Sequence, residues 1–217
     1  MIWQIPAPLR APYEIFQRSN PIAFHGLAMT KLLPNDVQWP AGAIFTVGHS
    51  NLPIEQFASL LKRYDIQRLA DIRTVPRSRH NPQFNADTMG RSLQAVGIEY
   101  LPVTALGGLR HPRKDSSNTG WRNKSFRGYA DYMQTEAFQN ALRSLIQLGR
   151  EKRTVMMCAE AVPWRCHRSL VADALNVEGV PAVEIMPDGG YRMHKLTPFA
   201  RVEGKHIAYP SDQANLL

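Results

Sequence analysis

Thr154-Val155-Met156-Met157-Cys158-Ala159-Glu160-Ala161-Val162-Pro163-Trp164-Arg165-Cys166-His167-Arg168 is the stretch that decides the fold. It opens as a short apolar run with β-branched residues, the pattern of a fully buried strand. After a turn broken at Pro163 it resumes at Arg165 as a helix running to Leu175, with Leu170, Val171, Ala174 and Leu175 on one side. A buried strand that leads through a loop into a helix is the repeating unit of a parallel α/β sheet, and such sheets bind ligands beyond the carboxyl ends of their strands. Both cysteines of the chain lie in this stretch, beside Glu160, Arg165, His167 and Arg168. The first turn of the helix adds backbone N–H groups suited to an anion.

The same alternation repeats on either side. Residues 43–47 read as a buried strand closed by Gly48-His49-Ser50-Asn51. Pro53 then opens a helix with Ile54, Phe57, Leu60, Leu61 and Tyr64 on its core face. Residues 68–72 are a second strand, and a helix from about Ala86 to Val96 is stopped by Gly97. Residues 98–101 form a third strand, and a helix from about Thr135 to Leu148 ends at Gly149. Residues 182–186 make the fifth strand, followed by an Asp188-Gly189-Gly190 turn. Strands separated by helices imply parallel pairing with right-handed crossovers. The expected fold is therefore a three-layer, Rossmann-like or flavodoxin-like α/β domain, with a mainly parallel five-stranded sheet and helices on both faces. That domain should cover residues 42–187. A proline-rich arm, residues 1–41, should pack on it through Trp3, Tyr13, Phe16, Phe24 and Trp39, and residues 188–217 read as an irregular tail.

Composition narrows the function. The chain has 217 residues, 44% of them hydrophobic, enough for one domain with a substantial core and against wholesale disorder. No apolar run approaches the roughly 20 residues needed to cross a bilayer. The N-terminal residues lack a basic-then-apolar leader, and two cysteines make no secreted disulfide framework, so a cytoplasmic location is expected. A net charge of +8 favours a phosphorylated small molecule or a nucleic acid as partner. No membrane contact and no cofactor are expected.

If the strands are parallel, one edge of the sheet collects His49 and Ser50, then Asp71 and Arg73, then Cys158, Glu160, Cys166, His167 and Arg168. Each has an ordinary structural reading as well. His49 could cap a helix or stack on the core, Asp71 could be a buried partner of an arginine, and Cys158 a small buried hydrophobe. Cys166 is the more reactive candidate, because a helix start flanked by Arg165 and His167 favours thiolate.

Gly48-His49-Ser50, Asp71-Ile72-Arg73 with Pro76 and Ser78, Leu106-Gly107-Gly108, Phe126-Arg127-Gly128-Tyr129-Ala130, and Met157-Cys158-Ala159-Glu160 with Cys166-His167-Arg168 resemble the signatures of the domain-of-unknown-function 488 family. The resemblance runs in order from about Phe45 to Ile185. It implies a compact α/β domain and no particular reaction. The proline-rich N-terminal arm lies outside it.

A basic segment completes the inventory. Residues 107–128 have no clear period and carry Arg110, Arg113, Lys114, Arg122, Lys124 and Arg127 around Trp121, with Phe126 and Tyr129 interleaved. Arg77 and Arg79 extend the charge from the loop after the second strand. Cations mixed with aromatic rings suit a single strand of nucleic acid. Three readings follow. In the first, an enzyme holds phosphate with Arg73, Arg165 and Arg168, uses Cys166 or Cys158 as nucleophile, and moves protons through Asp71, Glu160 and His49, with Ser50, His167, Gly107 and Gly108 lining the site. The second is a binding module for a nucleotide or nucleic-acid end without turnover. The third is a metal site drawn from Cys158, Cys166 and His49, with Glu160 and His167 near. Cysteine-phosphatase spacing is not met, because Arg165 falls one residue too far from Cys158.

Overall fold

The computed structural model describes residues 37–211. Six strands form the central sheet: β1 (Ile44–Gly48), β2 (Arg68–Asp71), β3 (Glu99–Pro102), β4 (Thr154–Cys158), β5 (Ala182–Ile185) and β6 (Tyr191–Met193), in the order β3-β2-β4-β1-β5-β6. The first five pair in parallel, and β6 runs antiparallel to β5. The sheet is thus mostly parallel but has six strands, not five. The extra strand comes from the expected irregular tail. Gly189, at φ 75°, lets the Asp188-Gly189-Gly190 turn close, and Met186 N–H donates to the Gly190 carbonyl at 2.8 Å. Tyr191-Arg192-Met193 has no apolar period; its partner strand makes it a strand. Farther on, β7 (Arg201–Glu203) and β8 (His206–Ala208) form a separate hairpin.

Among the described residues, five helices cover the sheet: α1 (Ile54–Arg63), α2 (Ala86–Ala95), α3 (Lys124–Met133), α4 (Glu136–Glu151) and α5 (Arg168–Val177). Side chains alternate across each strand, so Ile44, Ala70, Met156 and Cys158 join a core with α3, α4 and α5. Phe45, Leu69, Val155 and Met157 face the opposite core with α1 and α2. Helices on both faces make three layers. Trp39, the last aromatic of the proline-rich segment, packs edge-on against Phe45 and Tyr191. Residues 1–36 of the proposed arm lie outside the described residues.

Two helices differ from expectation for steric reasons. α3 occupies the end of the segment read as a loop. Asn123 caps it by accepting from the Ser125 and Phe126 amides, and Phe126, Tyr129, Ala130 and Met133 follow helical spacing. Gly128 obscured that pattern, but it is needed because a Cβ there would sit 2.6 Å from the Arg110 carbonyl oxygen. α4 runs past Gly149, where a Cβ would meet Ile44 Cδ1 at 2.2 Å; this glycine lets helix and strand approach instead of ending the helix.

The tail is fastened by a buried polar network. His194 bonds Glu184 through Nδ1 and Asp173 through Nε2, both at 2.8 Å. Arg192 pairs with Glu184, and the Thr197 and Tyr209 hydroxyls donate to Asp173 Oδ2 at 2.7 and 2.9 Å. Burial alone would depress the His194 pKa, but the two carboxylate bonds outweigh it and push it up to about 9. A histidine whose pKa rises on folding stabilises fully below its unfolded value of 6.5, and that contribution is lost as pH climbs through about 9. Urea denaturation should therefore show stability declining between pH 6.5 and 9. His194→Gln should cost about 3 kcal/mol at neutral pH and remove that decline; an unchanged pH dependence in the variant would refute the assignment.

Candidate functional site

The order β2-β4-β1 places three carboxyl ends side by side. Pairing continues beyond the strands: His49 N–H donates to the Cys158 carbonyl at 3.0 Å, Ser50 N–H to Ala159 at 2.9 Å, and Ile72 N–H to Met157 at 3.0 Å. Gly48 permits this closeness, since a Cβ there would lie 1.8 Å from the Glu160 carbonyl oxygen.

Over this edge Cys158, Cys166 and His167 converge. Their Sγ, Sγ and Nδ1 atoms all lie within 4.8 Å of one another. Nδ1 is 3.9 Å from Cys158 Sγ and 3.7 Å from Cys166 Sγ. The other ring nitrogen, Nε2, donates to the Ile72 carbonyl at 3.2 Å. In that tautomer the Nδ1 lone pair faces both sulfurs, placed to accept a thiol proton or to ligate a cation. Cys166 itself is extended and precedes a helix that starts at Arg168, three residues later than the sequence suggested, because residues 163–165 form a tight 3₁₀ turn at Pro163. Gly108 crosses the imidazole so closely that a Cβ would stand 2.4 Å from Nδ1, and a Cβ at Gly107 would strike Thr74 Oγ1 at 2.3 Å. Both glycines make room for the site.

The two thiols differ in charge preference. The hydrogen bond from Cys158 holds the Cys166 thiol well below the ordinary range against the opposing effect of burial, and the Arg168 charge reinforces it. The same bond, then burial, pushes the Cys158 thiol up. Of the two, Cys166 is therefore the thiol that more readily ionises.

The neighbouring ionisable groups are committed elsewhere. Asp71, fully buried, accepts from Arg73 Nε at 2.8 Å and Nη2 at 2.6 Å, and from the Tyr100 hydroxyl at 2.9 Å. Arg73 also donates to the Phe84 carbonyl. His49 stacks on Phe84 at 4.0 Å, gives its Nδ1 proton to the Ser50 carbonyl and receives Arg73 Nη1 at Nε2, 3.2 Å away. Burial lowers its pKa to about 4, with Arg73 adding to the effect. Asp71 and His49 thus form a buried frame with no free lone pair for proton transfer, and His167 instead of His49 stands with the cysteines. Arg168 is wholly buried and donates to Thr46 Oγ1 at 3.0 Å and to the Glu160 and Ala161 carbonyls at 2.6 and 3.3 Å. With Arg73, it faces the protein and not a ligand. Ser50 Oγ turns to Asn51. Glu160 and Arg165 remain exposed at the rim.

Cys158, Cys166 and His167 line a cavity of about 430 Å³, together with Arg73, Val75, Leu109, Phe126, Glu160 and Arg165. Sequence reading missed Val75, Leu109 and Asn123, as well as the Ile72 carbonyl. Only Asn123 carried a local signal, as the cap of α3.

The basic segment is less open than its composition suggests. Trp121 is packed with Phe126, Phe199 and Tyr209 and does not present its ring to a base. Arg110 donates to the Gly107 and Ala105 carbonyls and lies 3.6 Å over the Tyr132 ring. Arg127 donates to the Trp121 carbonyl, and Arg113 pairs with Asp115. Lys114, Arg122 and Lys124 stay exposed without an acid partner among the described residues, as do Arg77 and Arg79.

Fold and site define an α/β protein with a thiol–imidazole cluster at the carboxyl edge of a mostly parallel sheet. The chain belongs to the family described as domain of unknown function DUF488, whose model matches residues 53–175. The matched segment spans α1 to α5 and stops short of the Gly48-His49-Ser50 and Ile185 ends of the motif resemblance. No curated protein and no solved structure matches the chain. Among the described residues, no helix is long and apolar enough to cross a membrane.

The two close-approach glycines should separate by what they meet. Gly48→Ala would press a Cβ on a backbone carbonyl and should cost about 3 kcal/mol, read by urea denaturation. Gly108→Ala meets only a side-chain ring, so it should cost less than half as much while moving His167, visible as altered histidine ring signals in NMR. Equal costs for the two variants would contradict this packing.

Proposed function

We propose that the protein binds a phosphorylated ligand, a nucleotide or the end of a nucleic-acid strand, in a groove along this sheet edge, and that the Cys158–Cys166–His167 cluster acts on the part that reaches it. The observation that carries the reading is the continuity of the groove. A second cavity of about 430 Å³, lined by Ser50, Asn51, Arg77, Ser78 and Asn81, shares Arg73, Val75, Ala159 and Glu160 with the cavity over the cysteines.

The lining is amphipathic in a way that suits a nucleotide. Val75 and Leu109 are 60% and 73% exposed, and Phe126 lies beside them, an apolar seat for a planar base. Arg77 and Arg165 stand at opposite ends without an acid partner among the described residues, so their charge is available to phosphate. Arg73 and Arg168 support the reading indirectly, as the buried frame that fixes the groove wall.

Fluorescence anisotropy with short single-stranded oligonucleotides, with and without a 5′-phosphate, tests it. The phosphorylated strand should bind more tightly, with affinity falling steeply as salt rises. Arg77→Ala and Arg165→Ala should each weaken binding about tenfold, the scale of one charge-assisted hydrogen bond. Replacing Lys114, Arg122 and Lys124 by Ala should flatten the salt dependence. No binding at low salt, or binding indifferent to Arg77→Ala and Arg165→Ala, would overturn the proposal.

A further inference from the structure

We propose that Cys158, Cys166 and His167 bind one zinc-type divalent cation, with a fourth coordination position open to the groove. The inference deepens the reading above and rests on its claim that this cluster is the working centre. Ligands of a tetrahedral zinc, with Zn–S of about 2.3 Å and Zn–N of about 2.0 Å, stand about 3.6 Å apart for sulfur and nitrogen. Here the two S···N separations are 3.9 and 3.7 Å, and all three donor atoms fall within 4.8 Å. Shifts of a few tenths of an ångström would complete the S···N geometry, and the two sulfurs, within 4.8 Å, would have to stand about 3.8 Å apart.

Two further features fit a ligand set. Nδ1 faces the sulfurs because Nε2–H is tied to the Ile72 carbonyl, the outer-shell bond that orients metal-ligating histidines. Adjacent residues seldom share an ion, but here the backbone changes from extended at Cys166 (φ −135°, ψ 146°) to helical at His167 (φ −57°, ψ −14°), which turns both side chains to one point. Three protein ligands with soft and borderline donors suit zinc over magnesium or calcium, and all three line the cavity, so a water or a ligand oxygen can take the fourth place.

Metal binding is measured directly on the full chain, purified under reducing conditions and stripped with a chelator. Titration with Co²⁺ should give one equivalent bound, with a thiolate-to-metal charge-transfer band and the intense visible absorption of a tetrahedral site. Zn²⁺ should displace the Co²⁺. Cys158→Ser, Cys166→Ser and His167→Gln should each weaken Zn²⁺ binding by more than the roughly 10- to 100-fold cost of losing an outer-shell partner. Should these variants fail to fold, the wild-type chain still decides: one equivalent of Zn²⁺ should block alkylation of both cysteines at once. Absence of stoichiometric binding by the reduced chain, binding that survives in the Cys158→Ser/Cys166→Ser double variant, or undiminished alkylation with Zn²⁺ present would overturn the inference. The titration needs no oligonucleotide, and oligonucleotide binding is read separately on the stripped chain. Loss of metal binding with nucleic-acid binding intact sinks this inference alone, and the reverse sinks only the groove reading.

Discussion

A single buried guanidinium holds the site in shape. Arg168 leaves the first residue of α5, passes behind the loop that joins β4 to that helix, and donates to Thr46 in β1 and to the carbonyls of Glu160 and Ala161. Those carbonyls belong to a loop without regular partners of its own, where unpaired buried acceptors would be costly. Its Nε is among the few buried polar atoms with no partner among the described residues, so the side chain is held for its two terminal nitrogens and its charge. By pinning the loop between Cys158 and Cys166, Arg168 fixes the separation of the two sulfurs.

Two further buried polar networks accompany that clamp. The Asp71–Arg73–His49 frame lies beside the cluster, Arg73 lining the same cavity, and the Asp173–Glu184–His194 network lies toward the amino end of β5, where His194 N–H donates to the Ala182 carbonyl. Both are closed: every carboxylate oxygen has a donor, so each rigidifies its surroundings and leaves the thiols as the chemically open groups. The second network also explains how a tail lacking apolar period acquires strands. Charge pairing with α5 and β5 supplies what hydrophobic patterning does not.

How much was legible follows from the range of each interaction. Strands β1 to β5 and helices α1, α2, α4 and α5 announce themselves through local periodicity, and placing Cys158 and Cys166 at strand and helix ends needed nothing else. Gly128 and Gly149 misled, because their purpose is close packing against residues far away in sequence, which no local pattern displays. The choice of His167 over His49 as partner of the cysteines was equally hidden. It turns on a backbone carbonyl, Ile72, and on the stacking of His49 against Phe84, neither of which a residue list can rank.

The bond from His167 to Ile72 spans 95 residues of sequence, and that from Arg168 to Thr46 spans 122. A centre tied together over such distances cannot assemble locally; it must wait until β1, β2 and β4 have paired and the loop-closure entropy has been met. In a chain emerging from its N-terminus, the cysteines therefore appear late, and they stay unpartnered until the sheet has closed. The thiol centre is thereby a folding reporter as well as a site: its two sulfurs acquire their shared environment only once the parallel sheet exists.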